Sequence, residues 1–151
     1  MCFLCLFGNG TKISKYLINH DKTYEAEIKL GIKTDTGDRE GKILEEENIK
    51  DSCLDEKNIK EVLKQFIGKQ NQIPPMYSAI KVKGKKLYEY ARKCEKIEIT
   101  PRQIEIYNIE LQYIKREEKI IGFKASVSKG TYIRTLCEDI AKKLNTVRLH
   151  E

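Results

Sequence analysis

The residues best suited to chemistry lie in the stretch SKGTYIR, which begins at Ser128 and combines a glycine turn with an arginine. A helix is predicted after the turn, because apolar residues recur at helical spacing: Ile133, Leu136, Cys137, Ile140 and Leu144. Gly130 permits the turn, and Thr131 can cap the first helical amides. Arg134 then lies at the positive end of the helix dipole, where a guanidinium needs an anion such as a carboxylate or phosphate in front of it. The alternative is an ordinary ion pair with Glu138.

Tyr24 is a second candidate, and it belongs to a predicted strand. Residues 24–33 alternate between apolar and polar side chains, with Tyr24 and Ile32 at the two ends of the apolar set. This is the pattern of a half-buried strand. From this position alone we predict that the Tyr24 ring packs in the core, because an aromatic side chain on the buried face of a strand usually does.

A basic segment follows the chain break at Pro74 and Pro75. Residues 81–96 hold seven basic and two acidic residues, whereas residues 34–61 hold five basic and ten acidic residues. Rings stack on unpaired bases while cations hold the phosphate backbone, so this segment predicts an RNA-binding face. The predicted RNA-binding residues are Tyr77, Lys81, Lys83, Lys85, Arg92 and Lys129. The alternative is a solvated lysine-rich face without a ligand.

The elements that must position these residues are predicted to form an α+β domain with a mainly antiparallel sheet and flanking helices. Short helices are expected at Thr11 to Asn19 and at about Lys85 to Lys93. A helix capped near Asp55 and stopped by Gly68 has an apolar stripe that consists of Ile59, Val62, Leu63, Phe66 and Ile67. Residues 76–83 alternate as in a strand.

A long hairpin is predicted to lead into the SKGTYIR stretch. The apolar face changes from even to odd numbers near Tyr107 and Asn108, which predicts a β-bulge there. Residues 115–118 are predicted to form the tip of the hairpin. The apolar face of the return strand consists of Ile121, Phe123, Ala125 and Val127.

Composition indicates one soluble globular domain of 151 residues, with 40% hydrophobic residues, 34% charged residues and a net charge of +6. The apolar opening from Met1 to Phe7 is too short to span a bilayer and lacks a basic flank, so we expect a strand there and no membrane association. Five scattered cysteines do not form a disulfide framework, which favours the cytoplasm. Cys2 and Cys5 have the spacing of metal ligands but no second pair, and we expect no metal site.

Four segments together resemble the TruB family of tRNA pseudouridine synthases, in order and approximate spacing. They are KTYEAEIKLGIKTDTGDREG from Lys22, QIPPMYSAIKVKGKKLYEYARK from Gln72, ITPRQIEIYNIEL from Ile99 and SKGTYIRTLCEDI from Ser128. The resemblance extends from about Gly8 to Val147. At Cys94 the family has a glycine, so the turn there is expected to differ.

The resemblance implies a pseudouridine-synthase-like catalytic domain that isomerises a uridine in the T loop of tRNA without a cofactor. The family flips the uridine out, cleaves its bond to the ribose with an aspartate nucleophile, rotates the base and rejoins it through carbon. An arginine that pairs with this aspartate corresponds to Arg134, and a tyrosine that stacks on the base corresponds to Tyr24. The implied partner is the T-arm stem-loop, and we expect a monomer.

The nucleophilic aspartate is expected in a Leu-Asp-Pro segment that would lie upstream of Met1. The family also continues beyond Val147, often into a small RNA-binding PUA domain. Residues 1–151 are therefore expected to form a partial catalytic domain, truncated at both ends, and to be inactive in isolation. The alternative is a remnant that binds RNA without catalysis.

Overall fold

The computed structural model describes residues 20–34, 42–46, 49, 51–93 and 97–146. The predicted helix at Thr11 to Asn19, the predicted opening strand, the cysteines Cys2 and Cys5, and the turn at Cys94 lie outside these residues. No helix in the described ranges is long and apolar enough to cross a bilayer.

The described elements are eight strands and three helices, with one 3-10 turn. In chain order they are β1 (Lys22–Lys29), β2 (Ile32–Thr34), β3 (Ile43–Glu46), a 3-10 turn (Asp51–Leu54), α1 (Glu56–Lys64), β4 (Gly68–Gln72), β5 (Lys81–Val82), β6 (Lys85–Lys86), α2 (Leu87–Arg92), β7 (Arg102–Lys115), β8 (Ile120–Val127) and α3 (Ile133–Thr146). The main sheet has the order β1-β8-β7-β4, and all of its neighbouring strands are antiparallel. The predicted α+β class and its antiparallel sheet are confirmed.

β8 is the centre of the core. Its apolar face carries the predicted residues, each 0 or 1% exposed: Ile121, Phe123, Ala125 and Val127. Helices α1 and α3 cover this face, with α1 against β7 and α3 against β1, and they contact each other. Burial of Ile59, Leu63 and Ile140 between these layers supplies the apolar area that stabilises the fold.

The predicted bulge in β7 is confirmed, and a second one follows it. The pairing with β8 shifts register between Ile106 and Asn108, and again between Leu111 and Tyr113. Each shift inserts a residue and keeps the apolar side chains of a long strand on the core face.

Three predicted element boundaries were wrong. β1 ends at Lys29 because Gly31, at φ +83°, turns the chain, so that Ile32 belongs to a separate strand. α1 ends at Lys64, and Ile67 is 45% exposed because Gly68, at φ +115°, starts β4. The alternation over residues 76–83 forms a strand only at Lys81–Val82. In the first two cases the apolar spacing continues beyond the point where the backbone turns, and in the third it begins before the strand does.

The helix predicted from about Lys85 is also shorter than expected. α2 spans Leu87–Arg92, because Lys85 and Lys86 pair with β5 in a hairpin. Leu87 and Tyr90 form its buried side, at 0% and 9% exposed.

Candidate functional site

Residues 128–132 form the turn that leads from β8 to Arg134, and we call them the Arg134 turn. The turn is anchored to β7 at its first residue, Ser128. The Ser128 amide donates to the Glu105 carbonyl at 2.8 Å, and the Ser128 hydroxyl accepts from the Glu105 amide at 2.9 Å. Gly130 then adopts φ +81°, a left-handed conformation that glycine enters without a Cβ penalty. The chain therefore leaves β8 in a defined direction.

Thr131 closes this turn instead of capping the helix. Its hydroxyl donates to the Ser128 carbonyl at 2.9 Å, and its amide donates to the same oxygen at 3.4 Å. The predicted capping of the first amides of α3 by Thr131 was wrong, because the hydroxyl is used within the turn.

Gln72 binds the residue that precedes α3. Its Oε1 accepts from the Tyr132 amide at 2.8 Å, and its Nε2 donates to the Tyr132 carbonyl at 3.1 Å. The Gln72 side chain is 5% exposed. This contact could not be predicted from the sequence, since β4 reads GKQNQ and contains no apolar side chain to mark its last residue as buried.

Arg134 is half-buried in the first turn of α3, as expected from the sequence. Tyr24 lies opposite Ala125 on β8, two pairs from the end of the sheet where β8 leads into the Arg134 turn. Tyr24 is 36% exposed and belongs to no core cluster among the described residues, so the core packing expected from its position alone was wrong; the family resemblance had already favoured an active-site role over that expectation. The topology thus brings Tyr24 and Arg134 to the same end of the sheet. The ion pair between Arg134 and Glu138 stays a prediction.

The basic segment folds into a hairpin followed directly by α2. Lys81 pairs with Lys86 across a two-residue turn formed by Lys83 and Gly84, which have φ +50° and +83°. The Tyr90 hydroxyl donates to the Val82 carbonyl at 3.0 Å and holds α2 against the hairpin. We call residues 77–92 the basic hairpin unit.

The basic hairpin unit combines exposed cations with exposed or partly exposed rings. Tyr77 is 45% exposed. Lys86 Nζ lies 5.5 Å and Arg92 Cζ lies 5.4 Å from the centre of the Tyr88 ring. The predicted cations of this unit are exposed: Lys81, Lys83, Lys85 and Arg92. Lys86 and Tyr88 were not among the residues predicted from the sequence. The four-residue spacing of Tyr88 and Arg92 could have indicated this contact, because side chains four residues apart on a helix are neighbours.

Lys129 does not lie in the basic hairpin unit. It is exposed in the turn between β8 and α3, five residues before Arg134 along the chain. The predicted RNA-binding residues therefore fall into two groups, one on the hairpin and one beside the Arg134 turn.

The titratable groups near α3 do not suggest metal or thiol chemistry. Burial raises the pKa of Cys137 to about 12, with a smaller effect from the charge of Glu138, so its thiol stays protonated and unreactive at neutral pH. No group of three or more potential metal ligands is found within the described ranges.

Comparison with known proteins identifies relatives over nearly the whole chain. The model of the TruB family pseudouridylate synthase (N terminal domain) matches residues 2–133. The tRNA pseudouridine synthase B of Oceanobacillus iheyensis is 48% identical over 141 residues, which cover 93% of this chain and 46% of the relative. That of Clostridium tetani is 49% identical over 141 residues, covering 93% and 47%. The chain spans about half the length of these curated relatives.

Solved structures share the fold at lower identity. The crystal structure of a Cbf5-Nop10-Gar1 complex matches with a TM-score of 0.58 and 24% identity, over 89% of this chain and 29% of that chain. The structure of an H/ACA RNP bound to a substrate RNA containing 2'-deoxyuridine matches with a TM-score of 0.53 and 21% identity, over 89% and 27%. At these identities the likeness concerns the fold alone.

Proposed function

Since the chain belongs to the TruB family of pseudouridylate synthases, we propose that it forms the central part of a tRNA pseudouridine synthase acting on a uridine in the T loop. The observation that carries this proposal is 48% identity to a tRNA pseudouridine synthase B over 93% of the chain. Because the alignment covers 93% of the chain, it extends over the segment that places Arg134 at the start of a helix. A function in RNA modification also agrees with the cationic and aromatic surface of the basic hairpin unit.

In the proposed reaction an aspartate carboxylate attacks the flipped uridine nucleotide and the bond between base and ribose breaks. The base rotates and is rejoined through carbon, and the hydrogen on that carbon is released as a proton. The product is an isomer of the substrate, so the reaction consumes no co-reactant. The aspartate is the one expected in a Leu-Asp-Pro segment upstream of Met1.

We assign to Arg134 the role of holding that carboxylate ionised and in place. A guanidinium is always charged and can donate two parallel hydrogen bonds to a carboxylate. The half-buried position of Arg134, on a turn anchored to β7, supports this role because a fixed cation costs little to orient. The dipole of α3 adds positive potential at the same place.

To Tyr24 we assign stacking on the target base. Its ring is exposed at the end of the sheet where the Arg134 turn begins, which leaves a π-face accessible to a flipped base. The T-arm backbone would contact the basic hairpin unit and Lys129. We further propose that the protein acts as a monomer in the cytoplasm.

A tritium-release assay tests the proposed function. The enzyme is a fusion in which residues 2–146 are flanked by the segments that surround the matched region in the Oceanobacillus iheyensis relative. The substrate is a T-arm stem-loop with tritium at carbon 5 of its uridines. We expect release by the fusion, no release by residues 1–151 alone, and no release from a stem-loop whose target uridine is replaced by cytidine.

Each result has a separate meaning. A folded fusion that binds the T-arm without releasing tritium would contradict a synthase and favour a protein that only binds RNA. Release by residues 1–151 alone would contradict the assignment of the nucleophile to the upstream segment.

A further inference from the structure

We propose that Gln72 is a positioning residue for Arg134, and this role rests on the proposed function. Gln72 is the last residue of β4, whereas Arg134 lies in the first turn of α3, so the two residues come from distant parts of the chain. Gln72 acts through the backbone of Tyr132, two residues before the arginine.

Both polar ends of the Gln72 side chain are used on one residue. The Tyr132 amide can only donate, so the oxygen of Gln72 faces it, at 2.8 Å. The amide group of Gln72 then faces the Tyr132 carbonyl at 3.1 Å and donates to it. Two hydrogen bonds to one residue fix its position and also its rotation relative to β4. Because Gln72 is only 5% exposed, water does not readily replace these two hydrogen bonds.

Tyr132 also starts the hydrogen bonding of α3. Its carbonyl accepts from the Leu136 amide at 3.0 Å, which is the first bond of the helix. The amides at a helix start have no partner inside the helix, so the Tyr132 amide depends on an acceptor from outside. Gln72 therefore determines where the first helical turn of α3 begins. Arg134 belongs to that helical turn, so its position depends on Gln72.

The Arg134 turn is thus held at two ends by two strands. Glu105 of β7 holds Ser128 through 2.8 and 2.9 Å bonds, and Gln72 of β4 holds Tyr132. Loss of the Gln72 bonds leaves the Ser128 anchor intact and frees the end nearer to Arg134. A shift of about 1 Å in a catalytic group can cost about a hundredfold in rate, so a change that removes no contact with RNA should still slow the reaction.

Gln70 provides a matched control, since it is the same residue type on the same face of β4. Its Nε2 donates to the Phe66 carbonyl at 3.1 Å, away from the Arg134 turn. We compare Gln72→Met and Gln70→Met, which both keep length and remove hydrogen bonding. Gln72→Glu keeps the acceptor for the Tyr132 amide and replaces the donor by an oxygen; it is the variant to measure if Gln72→Met does not fold.

The first measurement needs no catalysis and uses residues 1–151. In NMR we expect Gln72→Met to speed exchange of the Tyr132 amide by at least about tenfold and to lower the order parameter of the Arg134 side-chain Nε–H. Gln70→Met should leave both at their wild-type values. Unchanged Arg134 order in a folded Gln72 variant would overturn the proposal.

The second measurement is steady-state tritium release by the fusion, well below the melting temperature. We expect Gln72→Met to lower kcat about 30- to 100-fold with KM for the T-arm changed by less than about twofold. A purely structural role would lower the melting temperature but leave kcat of the folded enzyme unchanged, and that result would also overturn the proposal. An inactive wild-type fusion would instead contradict the proposed function, and the NMR result would still decide whether Gln72 orders Arg134.

Discussion

Arg134 and Tyr24 come from different elements, and each has an ordinary structural role available to it. An arginine in the first turn of a helix can pair with a glutamate one turn later, and a tyrosine on a strand can pack in the core. For Tyr24 the structure removes the core alternative, because the residue is 36% exposed and belongs to no core cluster in the described part of the chain. For Arg134 the choice lies between an ion pair with Glu138 and the proposed pairing with the catalytic aspartate.

Substitution of Arg134 by lysine tests this at the level of one residue. We expect Arg134→Lys in the fusion to lower kcat by at least about a hundredfold, because an ammonium is a point charge and cannot hold a carboxylate through two parallel hydrogen bonds. Arg116→Lys is the control, since Arg116 is exposed in the turn between β7 and β8. The measurement is tritium release at saturating T-arm RNA, and wild-type turnover by Arg134→Lys would contradict the assigned role.

A second prediction for a single residue concerns Cys137 and the pH dependence of stability. Burial raises the pKa of its thiol from the ordinary value of 9.0 to about 12. The folded state therefore holds the proton more tightly, and the associated stability is complete below pH 9 and is lost as pH rises towards 12. Between these pH values, the free energy of unfolding decreases by up to about 1.4 kcal/mol per pH unit for one such group.

Urea unfolding between pH 8 and pH 10.5 measures this loss. Other groups titrate in the same range, so the informative quantity is the difference between wild type and Cys137→Ala. We expect wild-type stability to fall more steeply with pH than that of the variant. Parallel slopes, or rapid alkylation of Cys137 in the folded protein at pH 8, would show that its thiol is not shielded.

At the scale of elements, the face of the sheet opposite the core contains a tyrosine that covers a glycine. A Cβ placed on Gly122 of β8 would lie 2.4 Å from Cζ of Tyr113 on β7. The Tyr113 hydroxyl donates a hydrogen bond to Glu27 on β1, and this bond is the main reason why the pKa of Tyr113 is raised. One side chain thus links three strands by crossing over Gly122.

We expect Gly122→Ala to destabilise the protein by about 1 kcal/mol, because the ring must leave its position and its bond to Glu27 is lost. In a Tyr113→Ala background the same change should be neutral or stabilising, since glycine in a strand costs about 0.5–1 kcal/mol relative to alanine. A double-mutant cycle from denaturant unfolding measures the difference. Additive effects would show that the ring does not pack over Gly122.

At the scale of the whole molecule, the charge is unevenly distributed. The chain has a net charge of +6, yet residues 34–61 are acidic on balance and residues 81–96 are basic. The hairpin of β5 and β6 gathers part of this basic charge on exposed side chains. Such a surface attracts phosphate backbones and releases their counterions.

Charge reversal in the basic hairpin unit tests this surface. Each neutralised phosphate contributes about 0.7–0.9 to the slope of log affinity against log salt, so Lys81→Glu with Lys83→Glu should weaken T-arm binding and flatten the slope by about 1.5. The control, Lys57→Glu with Arg116→Glu, changes the net charge equally at exposed positions on α1 and the β7–β8 turn. Equal slopes for the two double variants would exclude a specific RNA-binding face.

The sequence by itself determined the elements whose pattern is local. The alternation of β8, the apolar stripe of α3 and the bulge near Tyr107 all follow from side chains a few residues apart, and each was predicted correctly. The family resemblance also came from sequence, since it depends on segments in order. The apolar spacing predicted the wrong ends for β1 and α1. At both ends a glycine with positive φ turns the chain although the apolar spacing continues.

Only the tertiary structure decided how Arg134 is held. The Gln72–Tyr132 contact joins residues 60 positions apart, and neither residue belongs to a periodic pattern that could reveal it. Likewise Tyr24 has the residue type and spacing of a core position, and its exposure depends on which helices cover that end of the sheet. Hydrophobic periodicity records which face of an element is buried, whereas hydrogen bonds between distant polar groups depend on how the elements are assembled.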